Sequence, residues 1–326
     1  MAKSDPIERA LDRLGELRHA DVSEAVTTEL RDFLRSRSNL VVAKAAKVAC
    51  ELRVTALRPD MVATFDRLMV SAPKLDKRCA ATTELLSALY ELDYVEPQPY
   101  LRGLKHVQLE ASFGPPVDEG AKLRAVSAQG LLRTPYPEAS AAVVELLVDR
   151  EPAARAGAVR ALATNGGEAG LLLLRLKVLS GDSEVGVLAE CFAGLLSAAP
   201  ESSLPFVARY IDSPDEATAE AAMLALGESR SPAAYTRLKE KWERTIDRPA
   251  RKVLLASMAA SKLDEAISFL VSLIATENAR TAADSLDALS IYRHNERITT
   301  GVLDAVTKRG DKTLLDHCRR DFENPA

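Results

Sequence analysis

Residues 154–162 read Ala154-Arg155-Ala156-Gly157-Ala158-Val159-Arg160-Ala161-Leu162, and residues 123–131 read Leu123-Arg124-Ala125-Val126-Ser127-Ala128-Gln129-Gly130-Leu131. Both are strong helix formers with arginine in second place and a small residue before a closing leucine. A third run of this kind extends from Thr218 to Leu226. The closing residues Leu131, Leu162, Leu195, Leu226, Met258 and Leu289 follow one another at 31, 33, 31, 32 and 31 residues. Such a register marks a repeat architecture. Upstream, Leu89 and Leu52 close similar helices, but the step from Leu89 to Leu131 is 42 residues.

Between the alanine-rich helices lie amphipathic ones, at about Ala139 to Val148, Leu204 to Ile211, Ala234 to Trp242 and Glu265 to Ile274. Their apolar residues recur at three- and four-residue steps, so each period holds two helices and two turns. Prolines stand at helix starts in Glu151-Pro152, Ser213-Pro214-Asp215, Ser231-Pro232 and Arg248-Pro249, where the missing N–H costs no hydrogen bond. No alternating strand pattern stands out. One helix pair cannot bury its own apolar face, whereas stacked pairs make a continuous core. The chain is therefore expected to be all-α, a single α-α superhelical domain over 1–326 of about nine helix pairs, with an inserted loop at 110–120.

The pattern Leu123-Arg124, Ser127-Ala128, Gly130-Leu131 and its counterpart Ala154-Arg155, Ala158-Val159, Ala161-Leu162 resemble the second helix of a HEAT repeat, in particular the bacterial HEAT-like, phycobilisome-lyase type. Leu204-Pro205-Phe206-Val207 resembles the proline-bearing first helix. The resemblance runs from about Asp21 to Phe322, with Leu188 and Ala219 replacing the repeat arginine in two units. It implies a HEAT-like solenoid, a fold that serves scaffolds and adaptors, a few lyases and a family of DNA glycosylases.

Composition narrows the functional classes. Hydrophobic residues make up 47% of the 326 and aromatic residues only 5%, so the core is built by close helix packing. The 43 basic and 47 acidic residues give a net charge of −4 and form no block of like charge, which argues against a nucleic-acid partner. Lys239-Glu240-Lys241-Trp242-Glu243-Arg244 carries the only tryptophan among basic residues, but its interleaved acids favour an amphipathic helix over a base-stacking site. Cys50, Cys79, Cys191 and Cys318 lie far apart, as expected of reduced thiols in a cytoplasmic protein. The start Met1-Ala2-Lys3-Ser4-Asp5-Pro6 runs into a charged segment without a signal-peptide core, and Leu171 to Leu179 is too short and too charged to cross a bilayer.

Catalytic and metal constellations are weak. His19, His106, His294 and His317 are widely separated, with His106 and Glu110 the best local pair, so no metal or other cofactor is expected. Ser71-Ala72-Pro73-Lys74 matches an acyl-enzyme S-x-x-K pattern but lacks the partner motifs and reads as an interhelix turn. Gly166-Gly167-Glu168-Ala169-Gly170 follows a helix, not a strand, and reads as a helix terminus instead of a phosphate cradle.

The expected function is a non-catalytic scaffold or adaptor that binds another protein, with a nucleic-acid-binding solenoid or a lyase or chaperone-like repeat protein as alternatives. Second helices of such a stack line its concave side, where Arg124, Arg155 and Arg251 would offer donors to acidic groups of a partner. The same arginines would otherwise join repeats by pairing with turn carboxylates such as Asp149, Asp182 or Asp247. The insertion from Glu110 to Gly120 supplies Phe113 and Asp118 as further candidates, because irregular loops on rigid scaffolds often carry function.

Overall fold

The computed structural model describes residues 5–323, so the first four residues of the N-terminal segment read above lie outside it. Twenty α-helices, five short 3-10 helices, one π-helical segment and one short two-stranded ladder make up the regular structure among the described residues. The protein is all-α, and the chain divides into two compact units, Met1–Leu176 and Lys177–Ala326. No Gly/Ser linker marks the division.

In the first unit the helices Asn39–Glu51, Ala80–Glu91, Ala121–Leu132 and Pro152–Asn165 stack one on the next. Each also packs on a helix preceding it in sequence, such as Arg58–Met69 on Ala80–Glu91 and Gln98–Leu104 on Ala121–Leu132. A stacked helix is therefore covered on more than one side. Small apolar residues then suit several faces, and Ala154, Ala158, Val159, Ala161 and Leu162 are all buried on Pro152–Asn165. Gly157 shows how close the approach is: a Cβ there would overlap Ala125 of the neighbouring stacked helix.

The second unit repeats the arrangement with Val185–Ala198, Glu216–Glu228, Arg248–Ala260, Ala279–Leu289 and Lys312–Cys318 in succession. Their partners include Pro200–Ala208, Pro232–Arg244 and Asp264–Thr276. Pro232–Arg244 buries Ala234, Tyr235, Leu238 and Trp242 and leaves its charged face in solvent. Gly227 lies so near Ser257 on the next stacked helix that a Cβ would overlap the Ser257 carbonyl oxygen.

The register read from the sequence is the register of the core. Leu89, Leu131, Leu162, Leu195, Leu226, Met258 and Leu289 are all buried, while Leu52 is only partly so. Pro152 and Pro232 open their helices, and Asp215 caps the helix Glu216–Glu228 by accepting from the Thr218 amide. Gly166 alone separates the helices Pro152–Asn165 and Gly167–Ser180, and Ser71 precedes a single helical turn, Ala72–Leu75. No helix among the described residues is long and apolar enough to cross a membrane. Cys79, Cys191 and Cys318 are buried and Cys50 is partly exposed.

Candidate functional site

The break in register between Leu89 and Leu131 is a hairpin. After the Gln98–Leu104 helix the chain forms β1 (Leu109–Glu110) and β2 (Val117–Asp118), antiparallel, with Leu109 opposite Asp118 and Glu110 opposite Val117. Two residues per strand make too little ladder to hold such an element by itself. Its stability comes from side chains beneath it.

Asp118 is the first of these. Its Oδ1 accepts from the amides of Gln108 (3.0 Å) and Gly120 (2.9 Å), and its Oδ2 pairs with Arg124 Nη1 at 2.8 Å. Burial would raise the Asp118 pKa, but the two amides and the guanidinium outweigh it and hold the carboxyl below its usual range. Arg124 extends the network: Nε and Nη2 each reach an oxygen of Asp149 at 2.9 Å, and Nη1 also donates to the His106 carbonyl at 2.8 Å. The planar guanidinium fork suits this bidentate geometry, which an ammonium would not reproduce.

A second anchor lies at the start of the Ala80–Glu91 helix. Buried Asp76 caps that helix, accepting from the amides of Ala81 and Thr82 (both 2.8 Å) and from Asn39 Nδ2 (3.0 Å). Gln108 reaches down to the same loop, its Nε2 donating to the Asp76 carbonyl (2.8 Å) and to Glu110 Oε1 (2.6 Å). Glu110 Oε1 in turn accepts from the Arg78 amide at 2.6 Å, which holds its carboxyl below the usual range. Arg78 and Cys79 both adopt left-handed backbone conformations (φ 60° and 50°) that non-glycine residues seldom occupy. The contacts from Asp76 and Glu110 hold this strained turn in place.

The outward side is apolar. Val107, Leu109, Phe113 and Val117 are exposed, and Phe113 stands fully in solvent. The tip is ordered by Ser112, whose Oγ donates to the Pro115 carbonyl at 2.8 Å and accepts from the Gly114 amide at 3.2 Å. The element is thus polar and tied down inside, apolar and open outside.

The other candidates are placed differently. Arg124 and Arg155 are 3% and 7% exposed, and neither presents an open guanidinium. Arg155 Nη1 donates to the carbonyls of Asp149 (2.9 Å) and Arg150 (3.1 Å), so both arginines converge on the Asp149 turn. The repeat-joining role through a turn carboxylate describes the pair Arg124 and Asp149. Asp118 is equally an inward residue. Arg251, in the second unit, donates to the Thr245 carbonyl (3.1 Å) and covers the Trp242 ring at 4.0 Å. It lines a groove of about 290 Å³ together with Ile246, Arg248, Asn278, Arg280 and Asp284. Trp242 itself is only 6% exposed, between Arg251 and an edge-on contact with Phe269, so its ring offers no platform to a nucleobase.

Sequence reasoning located the insertion and named Asp118, Arg124 and Asp149, but missed the anchoring contacts of Gln108 and Asp76. Gln108, Asp76 and Glu110 belong to no motif, and the only signal for them was their position beside the broken period. The pair His106 and Glu110 does not form; His106 Nε2 lies 3.1 Å from Gln108 Oε1 instead.

No protein-family model matches the chain, and no curated protein matches it. Among solved structures it is similar to an engineered protein, at 16% identity and a TM-score of 0.37 over 99% of this chain and 96% of that one. It is also similar to the complex of CpcE and CpcF of phycocyanin lyase from Nostoc sp. PCC7120, at 14% identity and a TM-score of 0.34 over 90% and 96% of the two chains.

Proposed function

We propose that the chain is a non-catalytic protein-binding scaffold whose principal contact element is the 106–120 hairpin. One observation carries this reading: a short ladder that could not hold itself is fastened by buried ionic and amide contacts, while its outer side offers Phe113, Leu109 and Val117 to solvent. A pre-ordered apolar tip loses little conformational freedom when it docks. An aromatic anchor entering a partner's pocket is a common centre of binding energy.

The test places a photo-crosslinking phenylalanine analogue at position 113 of the full chain in its native cell, identifies the attached protein, and measures its affinity for purified variants. Phe113→Asp is expected to weaken binding by at least about tenfold, equivalent to about 1.4 kcal/mol, without changing the melting temperature. Unchanged affinity for both Phe113→Asp and a deletion of residues 112–118 would overturn the proposal.

A further inference from the structure

We infer that Asp287, His317 and Asp321 form a binding site for a single zinc-class divalent cation, independent of the hairpin. Asp287 lies on the Ala279–Leu289 helix and His317 on the Lys312–Cys318 helix, with Asp321 four residues later in the helical continuation Arg319–Glu323. His317 Nε2 is 3.1 Å from Asp287 Oδ1 and 3.2 Å from Asp321 Oδ2, and one ligand atom from each residue lies within 4.8 Å of the others.

The geometry favours a cation over a simple ion pair. A single Nε2–H can make one well-aligned hydrogen bond, yet two carboxylates face it at nearly equal distance. For a cation at bonds of about 2.0–2.2 Å, the two imidazole–carboxylate spacings of 3.1 and 3.2 Å would each subtend roughly 90–105°, between octahedral and tetrahedral values. One imidazole nitrogen with two carboxylate oxygens suits zinc and its neighbours better than magnesium or calcium, which prefer all-oxygen shells. Asp287 is exposed and the other two are partly exposed, so water can complete the shell.

The surroundings orient the first ligand. Lys252 Nζ lies 3.6 Å from Asp287 Oδ2, the oxygen turned away from His317, and 3.2 Å from Asp284 Oδ1. Its charge attracts Oδ2 without a hydrogen bond, which favours Oδ1 facing the site, while its nearer partner is Asp284. A cation here would fasten the last helical turn to the preceding repeat of the same unit.

The test uses the full chain stripped with a chelator and titrated with zinc chloride against a chromophoric competitor. One equivalent is expected to bind, and Asp287→Asn, His317→Gln and Asp321→Asn are each expected to weaken it more than tenfold with helicity unchanged by circular dichroism. His294→Gln, an exposed histidine elsewhere in the unit, should leave it unaltered. X-ray absorption of the cobalt-loaded protein should show one imidazole and oxygen donors. Absence of a saturable equivalent, wild-type affinity retained in Asp287→Asn and His317→Gln, or displacement of zinc by equimolar magnesium would overturn the assignment.

Discussion

Arg124 and Asp149 meet in a bidentate pair, Nε to Oδ2 and Nη2 to Oδ1 both at 2.9 Å, 25 residues apart in sequence. The same guanidinium holds Asp118 at 2.8 Å, so one side chain ties the inserted hairpin to the turn that starts the next stacked helix. Removing the guanidinium leaves two carboxylates held by backbone amides but without a counter-charge. Arg124→Met is therefore expected to destabilise the first unit by about 3–5 kcal/mol in urea denaturation. Hydrogen exchange should report lost protection at the Gln108 and Gly120 amides first, and unchanged protection there would show that the hairpin does not depend on this arginine.

Acid should loosen the hairpin in a defined direction. Asp118 and Glu110 are both held below the usual carboxylate range in the folded state. A depressed pKa contributes stability that is present above the unfolded value, about 3.9–4.3, and lost as pH falls through the folded one. Protection of the 106–120 amides is expected to fall as pH drops below about 4, with a shallower dependence in Asp118→Asn. A pH dependence in that variant identical to the wild type would exclude Asp118 as a source.

Gly227 and Gly186 make an internal comparison within one unit. A Cβ at Gly227 would overlap the backbone carbonyl of Ser257, which cannot rotate away, whereas one at Gly186 meets nothing within 4 Å. Gly227→Ala is expected to cost about 1–3 kcal/mol through overpacking. Gly186→Ala should be neutral or stabilising by up to about 1 kcal/mol. Equal denaturation midpoints for the two variants would contradict the close approach of those helices.

Thiol reactivity should follow burial. Cys79 and Cys191 are each pushed up to about 12, principally by burial. Thiolates, not thiols, react with alkylating agents. Iodoacetamide at about pH 8 is expected to leave Cys79 and Cys191 unmodified in the native protein and to label them after denaturation, as read by peptide mass spectrometry. Native labelling of either would place it at an opening of the core.

The repeat was legible because helix pairing is written locally. The spacing of Leu131, Leu162, Leu195, Leu226, Met258 and Leu289 depends only on which residues fall on one side of a 3.6-residue helix, and all six are buried. The interruption before Leu131 was equally visible, as was Asp149 as a partner for a repeat arginine. The outward face of Phe113 was not, since the same residue could have turned inward to the helices.

The amino-acid order alone determined helix type, the period of the pairs and the place where the period fails, all properties of neighbours along the chain. Tertiary packing alone decided which other groups meet: Arg124 with Asp118, Gln108 with the Asp76 carbonyl, and Asp287 with His317. The physical reason is one of range. Apolar burial is non-directional and leaves a periodic trace in the sequence, whereas a hydrogen bond or ion pair needs an angle and a distance that exist only once the helices have stacked.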